Sequence, residues 1–169
     1  GAIPSQFIPS CEKGVRGALE RGPLAGFPVV DVAVTVFDGK DHPVDSKDIA
    51  FQVAAAAAFR EAVQEARPVL LEPVVLLRVR VPERFTGDVI SDLNTRRGRV
   101  LGMETEGTVS VIAAHVALAE AQSCSADLRS LSGGRGAFSL QAQGYEPVPA
   151  PLAEKVVANV RERSVAAGG

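Results

Sequence analysis

The feature that most constrains the fold is a change of hydrophobic period, repeated in a fixed order, between residues 75 and 143. Val75, Leu77, Val79 and Val81 alternate with Leu76, Arg78 and Arg80, the period of two that turns one side of a strand toward a core. Phe85, Val89 and Leu93 then recur every four residues, a helical period closed by Gly98. Two strands follow, over 100–105 and 108–118, joined by a turn at Glu106-Gly107, then a helix over 119–131 and a last strand over 137–143. Strand, helix, strand, strand, helix, strand is the split β-α-β order of ferredoxin-like folds. Each strand has one apolar side and two amphipathic helices are available to cover it, which predicts a four-stranded antiparallel sheet with both helices on one face.

The first part of the chain reads differently. Ile8, Cys11, Val15, Ala18 and Leu19 lie at helical spacing, and Gly22-Pro23 supplies a stop. Val30, Val32, Val34 and Val36 alternate with Asp31, Ala33 and Thr35, predicting a half-buried strand that ends at Asp38-Gly39. An alanine-rich helix is predicted over 47–66, with Asp45 or Ser46 as N-cap, Asp48 in the first turn and Pro68 beyond its end. Its Phe51, Ala55, Ala58, Phe59 and Ala62 form a flat face that lets a sheet approach closely. One strand cannot cover two helices, because both of its edges stay unpaired. A truncated domain is therefore expected here, its other strands lying upstream. After Pro149 and Pro151 comes a charged helix over 152–163 and a small-residue tail.

Composition narrows the function. The hydrophobic fraction of 46% is largely alanine and valine in short segments, and no run nears the ~20 apolar residues of a membrane span. Nothing at the N-terminus reads as a secretory signal. Cys11 and Cys124 lack C-x-x-C spacing, which points to reduced thiols in a cytoplasm. A net charge of -2 gives no global argument for nucleic-acid binding, so any such contact is local. The local candidates are Arg96, Arg97 and Arg99 around Gly98, and Arg129 with Arg135. The first group either complements a helix C-terminus or contacts phosphate. Gly133, Gly134 and Gly136 around Arg135 form either a positive-φ turn or a backbone nest for phosphate. His42 has no histidine or cysteine close in sequence, so no metal site is expected. Ser130, Ser132 and His115 come with no G-x-S-x-G elbow or paired carboxylates, and no catalytic residue is expected in these 169 residues. Without a G-x-x-x-x-G-K-[ST] loop, the fragment is not expected to hold GTP by itself.

Longer strings carry a resemblance. GDVISDLNTRRGRVLGME, LRSLSGGRGAFSL and GYEPVP are similar, in that order, to the last domain of elongation factor G, the GTPase that drives ribosomal translocation. IPSQFIPSCEKGVRGALER, GPLAGFPVVD and DGKDHPVDS resemble the preceding domain. The resemblance implies an α+β chain: an incomplete α/β tip domain over 1–68, a ferredoxin-like βαββαβ domain over 69–149, and a C-terminal helix and tail over 150–169. It implies that the loop bearing Asp38, Gly39, Lys40, Asp41 and His42 enters the decoding region beside transfer and messenger RNA, and that Arg96, Arg97, Arg99, Arg129 and Arg135 face ribosomal RNA. The implied partner is the ribosome, with neither DNA nor membrane; GTP and magnesium belong to the full-length protein, which would be a GTPase. The family's usual G-S-Y-H is here Gly39-Lys40-Asp41-His42, which motivates a second reading as a ribosome-protection or recycling paralogue. The near-neutral charge suits a third, a free-standing ferredoxin-like interaction module; the tip loop and the motif order oppose it.

Overall fold

The computed structural model describes residues 3–42 and 47–167, which divide into two compact units. One holds the residues up to Leu70 together with those from Pro149; the other is Leu71–Val148. The division falls at Leu71 and Pro149, and the terminal helix groups with the first unit.

In the first unit, helix α1 (Ile8–Leu19) packs on helix α2 (Asp48–Glu65). Val15, Ala18, Phe59 and Val63 are buried between them. The crossing is close at Gly14, where a Cβ would stand 2.2 Å from the Gln52 carbonyl oxygen. Ser10 Oγ donates to Asp48 Oδ1 at 2.7 Å, and the Phe7 and Phe51 rings stack with centroids 4.4 Å apart. The N-cap position of α2 is Lys47; the expected caps Asp45 and Ser46 lie outside the described residues.

The strand expected at Val30–Val36 is not one. The segment pairs with no ladder among the described residues, and Val30, Val32, Val34 and Val36 are 56, 48, 47 and 44% exposed. Alternating valines specify which side of a strand is apolar, but a strand exists only where a neighbour takes its backbone N–H and C=O groups. Between this segment and α2 runs an apolar groove of about 660 Å³, floored by Ala54, Ala55, Ala58 and Ala62. Of the flat helix face read from sequence, Phe51 and Phe59 are buried, and the alanines Ala55, Ala58 and Ala62 line the groove.

The second unit begins with β1 (Leu71–Pro82), followed by α3 (Thr86–Thr95), β2 (Arg99–Glu106), β3 (Val109–Ala117), α4 (Leu118–Leu131) and β4 (Ala137–Pro147). The sheet order is β2-β3-β1-β4 and every pairing is antiparallel. Val75, Leu77, Val79 and Val81 of β1 meet Ile112, Ala114 and Val116 of β3, with Val89 and Leu93 from α3 and Ala121, Cys124 and Leu128 from α4 in the same core. Both helices therefore cover one face, as the alternation required. Thr86 Oγ1 donates to the buried Ser110 Oγ at 2.8 Å, tying the start of α3 to β3. Cys11 and Cys124 are both buried free thiols. The last helix, α5 (Ala150–Ala167), belongs with the first unit, its half-buried Leu152, Ala153, Val156, Val157 and Val160 recurring at helical spacing.

Candidate functional site

The sequence candidates fall into three places. Asp38, Gly39, Lys40, Asp41 and His42 lead from the extended segment toward α2, and all but the half-buried Gly39 are exposed. Asp38 Oδ1 accepts from the N–H of the next residue, Gly39, at 2.8 Å. Residues 43–46, the rest of the loop read from sequence, lie outside the described residues.

The second place is the C-terminus of α3. There the Arg97 N–H donates to the Asn94 carbonyl at 3.2 Å and the Gly98 N–H to the Leu93 carbonyl at 2.8 Å, a closure that puts Arg97 at φ 58°, left-handed for a residue with a Cβ. The Arg96 guanidinium, only 13% exposed, donates through Nε to Asp92 at 2.7 Å and also to Asp127 and the Ser123 hydroxyl on α4. Asp92 foremost, with Asp127, holds it protonated well above the ordinary arginine range despite the opposing effect of burial. Arg97 donates to Glu72 of β1 at 2.7 Å and approaches Glu120 of α4 at 3.5 Å; Glu72 above all pushes its pKa up as well. Arg99 donates to His115 Nδ1 at 3.1 Å and to Glu146 of β4 at 3.4 Å. These three arginines are set in ion pairs within their own domain.

Sequence reading missed those acidic partners. The i,i+4 spacing of Asp92 and Arg96 was available as a signal. Glu72, Glu120, Asp127 and Glu146 come from other elements and left none.

The third place is the turn after α4, flanked by Arg129 and Arg135. The Gly133 N–H donates to the Ser130 carbonyl and the Gly134 N–H to that of Arg129, with Gly133 at φ 57° and Gly134 at φ 78°. This paired closure is the helix stop that glycine makes cheaply. The Arg135 N–H goes to the Ser132 carbonyl, and the Gly136 N–H to the buried Ser132 Oγ at 2.8 Å. With all four N–H groups occupied internally, the segment is a turn and not a phosphate nest. Arg129 and Arg135 remain exposed beside it, their guanidinium groups without a partner among the described residues.

The second unit is thus a split β-α-β domain of the ferredoxin-like class, and the first a packed pair of helices whose connecting segment carries the exposed His42. The family model "Elongation factor G, domain IV" matches residues 1–67 and "Elongation factor G C-terminus" matches residues 69–156, so the chain belongs to the elongation factor G family. It is 54% identical to elongation factor G of Aquifex pyrophilus over 157 residues, 93% of this chain and 22% of that protein. A crystal structure of a protein from Thermus thermophilus matches it with a TM-score of 0.85 at 46% identity, over 96% of this chain and 24% of that one. The chain therefore spans less than a quarter of the length of either relative. Among the described residues, no helix is long and apolar enough to cross a membrane.

Proposed function

We propose that this chain is the ribosome-facing part of an elongation factor G-type GTPase, whose loop around His42 reaches transfer and messenger RNA at the decoding region and promotes translocation. The observation that carries this reading is the exposed Asp38–His42 loop in the unit that matches the family's domain IV. A side chain on such a loop meets a partner without disturbing a core. Arg129 and Arg135 supply phosphate contacts to ribosomal RNA in this reading. GTP and magnesium are bound by other parts of the full-length protein, which works in the cytoplasm. The Lys40-Asp41 pair favours the second reading, a ribosome-protection or recycling paralogue, because it puts an acid next to the histidine.

The test is His42→Ala in the full-length protein, assayed by single-round translocation. The rate is expected to fall about 5- to 150-fold, the effect of one polar contact left unmade, with ribosome binding and GTP hydrolysis unchanged. A normal rate moves the protein to the paralogue reading. Failure of the unsubstituted protein to bind ribosomes sinks both.

A further inference from the structure

The start of α1 grips the first turn of α2 at successive points. The Phe7 ring stacks on Phe51 with centroids 4.4 Å apart, Ser10 Oγ donates to Asp48 Oδ1 at 2.7 Å, and Gly14 admits the Gln52 backbone. Ser10 is 7% exposed, and a buried helical serine has a nearer partner in the carbonyl of the preceding turn. Its hydroxyl instead crosses 38 positions of sequence to reach a carboxylate. Lys47, at the N-cap position of α2, is extended and its side chain makes no cap bond, so Asp48 is held from α1. Neither Ser10 nor Asp48 lines the apolar groove, so the tie does not depend on what fills that groove.

Asp48 is where the chain that carries His42 re-enters helix. On the approach to His42, a Cβ on Gly39 would lie 2.5 Å from Ile3 Cδ1, so the Ile3 side chain rests on the Gly39 backbone. Residues 3–10 thus meet the chain on both sides of His42. A contact made by a loop side chain is only as good as the placement of the loop's ends, and an error of about 1 Å can cost on the order of 10²-fold in rate. We infer that Ser10 is a positioning residue: through Asp48 it sets where the His42 loop joins α2, and with that the aim of His42. The inference rests on the translocation reading given above.

The test is a cycle of variants in the full-length protein, read by single-round translocation. Ser10→Ala is expected to slow the rate about 2- to 12-fold, the effect of one hydrogen bond lost, with ribosome binding and GTP hydrolysis unchanged. Asp48→Ala should match it, and the two together should be no slower than either. Asp48→Asn keeps the acceptor oxygen and should stay near the parent rate; a slow Asp48→Asn would assign the effect to charge at the helix terminus and overturn the tie. In the His42→Ala background Ser10→Ala should slow nothing further, because no side chain is left to aim. A serine that only stabilises the fold would slow both backgrounds alike, and that result overturns the inference. A normal Ser10→Ala beside a slow His42→Ala overturns it and leaves the RNA reading of the loop intact. A slow Ser10→Ala beside a normal His42→Ala removes the positioning role and the His42 role together, as do normal rates for both.

Discussion

Replacing Arg96 tests whether the paired arginines hold the domain or hold RNA. Its side chain is 13% exposed and its partners Asp92 and Asp127 are 22% and 50% exposed, so removing it strands one mostly buried carboxylate and one that water can reach. A fully buried pair broken on one side costs about 3–5 kcal/mol, and a hydrogen bond to a charged group about 1.5–3 kcal/mol. Arg96 lies between these limits, and Arg96→Met, which keeps the apolar stem, should destabilise Leu71–Val148 by about 2–3 kcal/mol. Native-state hydrogen exchange reads this within the whole protein: core amides such as those of Leu77 and Ile112 should lose about 30- to 150-fold protection. Adding Asp92→Asn should cost less than the two changes separately, with a coupling of about 1–2 kcal/mol. The pH dependence has a definite sign. The pairs raise the folded-state pKa of Arg96, so their contribution is complete below the unfolded arginine range and is lost only as pH climbs through the folded value. It is therefore flat near neutrality. Unchanged protection in Arg96→Met, or costs that simply add with Asp92→Asn, would refute the clamp.

Gly14→Ala should destabilise the α1–α2 pair by about 1–3 kcal/mol in denaturant unfolding followed by circular dichroism, because the new methyl meets the Gln52 backbone; Gly17→Ala, with nothing within 4 Å, should be neutral or stabilising, and equal behaviour would refute the close crossing. Arg129→Gln with Arg135→Gln should lower the salt slope of ribosome association by about 2, and an unchanged slope would return both to the solvated surface. Cys124, whose thiol pKa burial pushes up although Arg96 pulls it down, should alkylate only as fast as its domain opens; reaction at the rate of an exposed cysteine would contradict its packing.

The split β-α-β unit was legible because each strand carries its apolar side in a two-residue period that helices cannot imitate. The ends were less so. β1 reaches Leu71 and β4 reaches Pro147, where Glu72 pairs with Glu146 and Pro73 with Tyr145 through the backbone, which leaves no hydrophobic pattern. The valines at 30–36 show the converse: the pattern was read correctly, yet it names a face and not a neighbour. For the site, the His42 loop could be found because turn residues and a resemblance both mark it. Asp92 lies at i,i+4 from Arg96 and was legible, but Glu72, Glu120, Asp127 and Glu146 lie 23 to 47 positions from the arginines they meet, and no local spacing gives those.

That internal use of arginine changes how a binding experiment must be read. Arg96 docks the end of α3 against α4, and the exposed Arg129 sits on the last turn of α4. Loosening the clamp therefore loosens the frame that holds Arg129 and its neighbour Arg135, and Arg96 with Arg97 replaced together should weaken ribosome association even if neither touches RNA. The two routes differ in salt. Losing a direct phosphate contact lowers the slope of log K against log salt, since fewer counterions are released. Losing folded population lowers K by a factor that depends on stability and leaves that slope nearly unchanged. For the double replacement, a weaker K with an unchanged slope assigns the pair to the frame, and a slope lower by about 2 assigns it to the RNA.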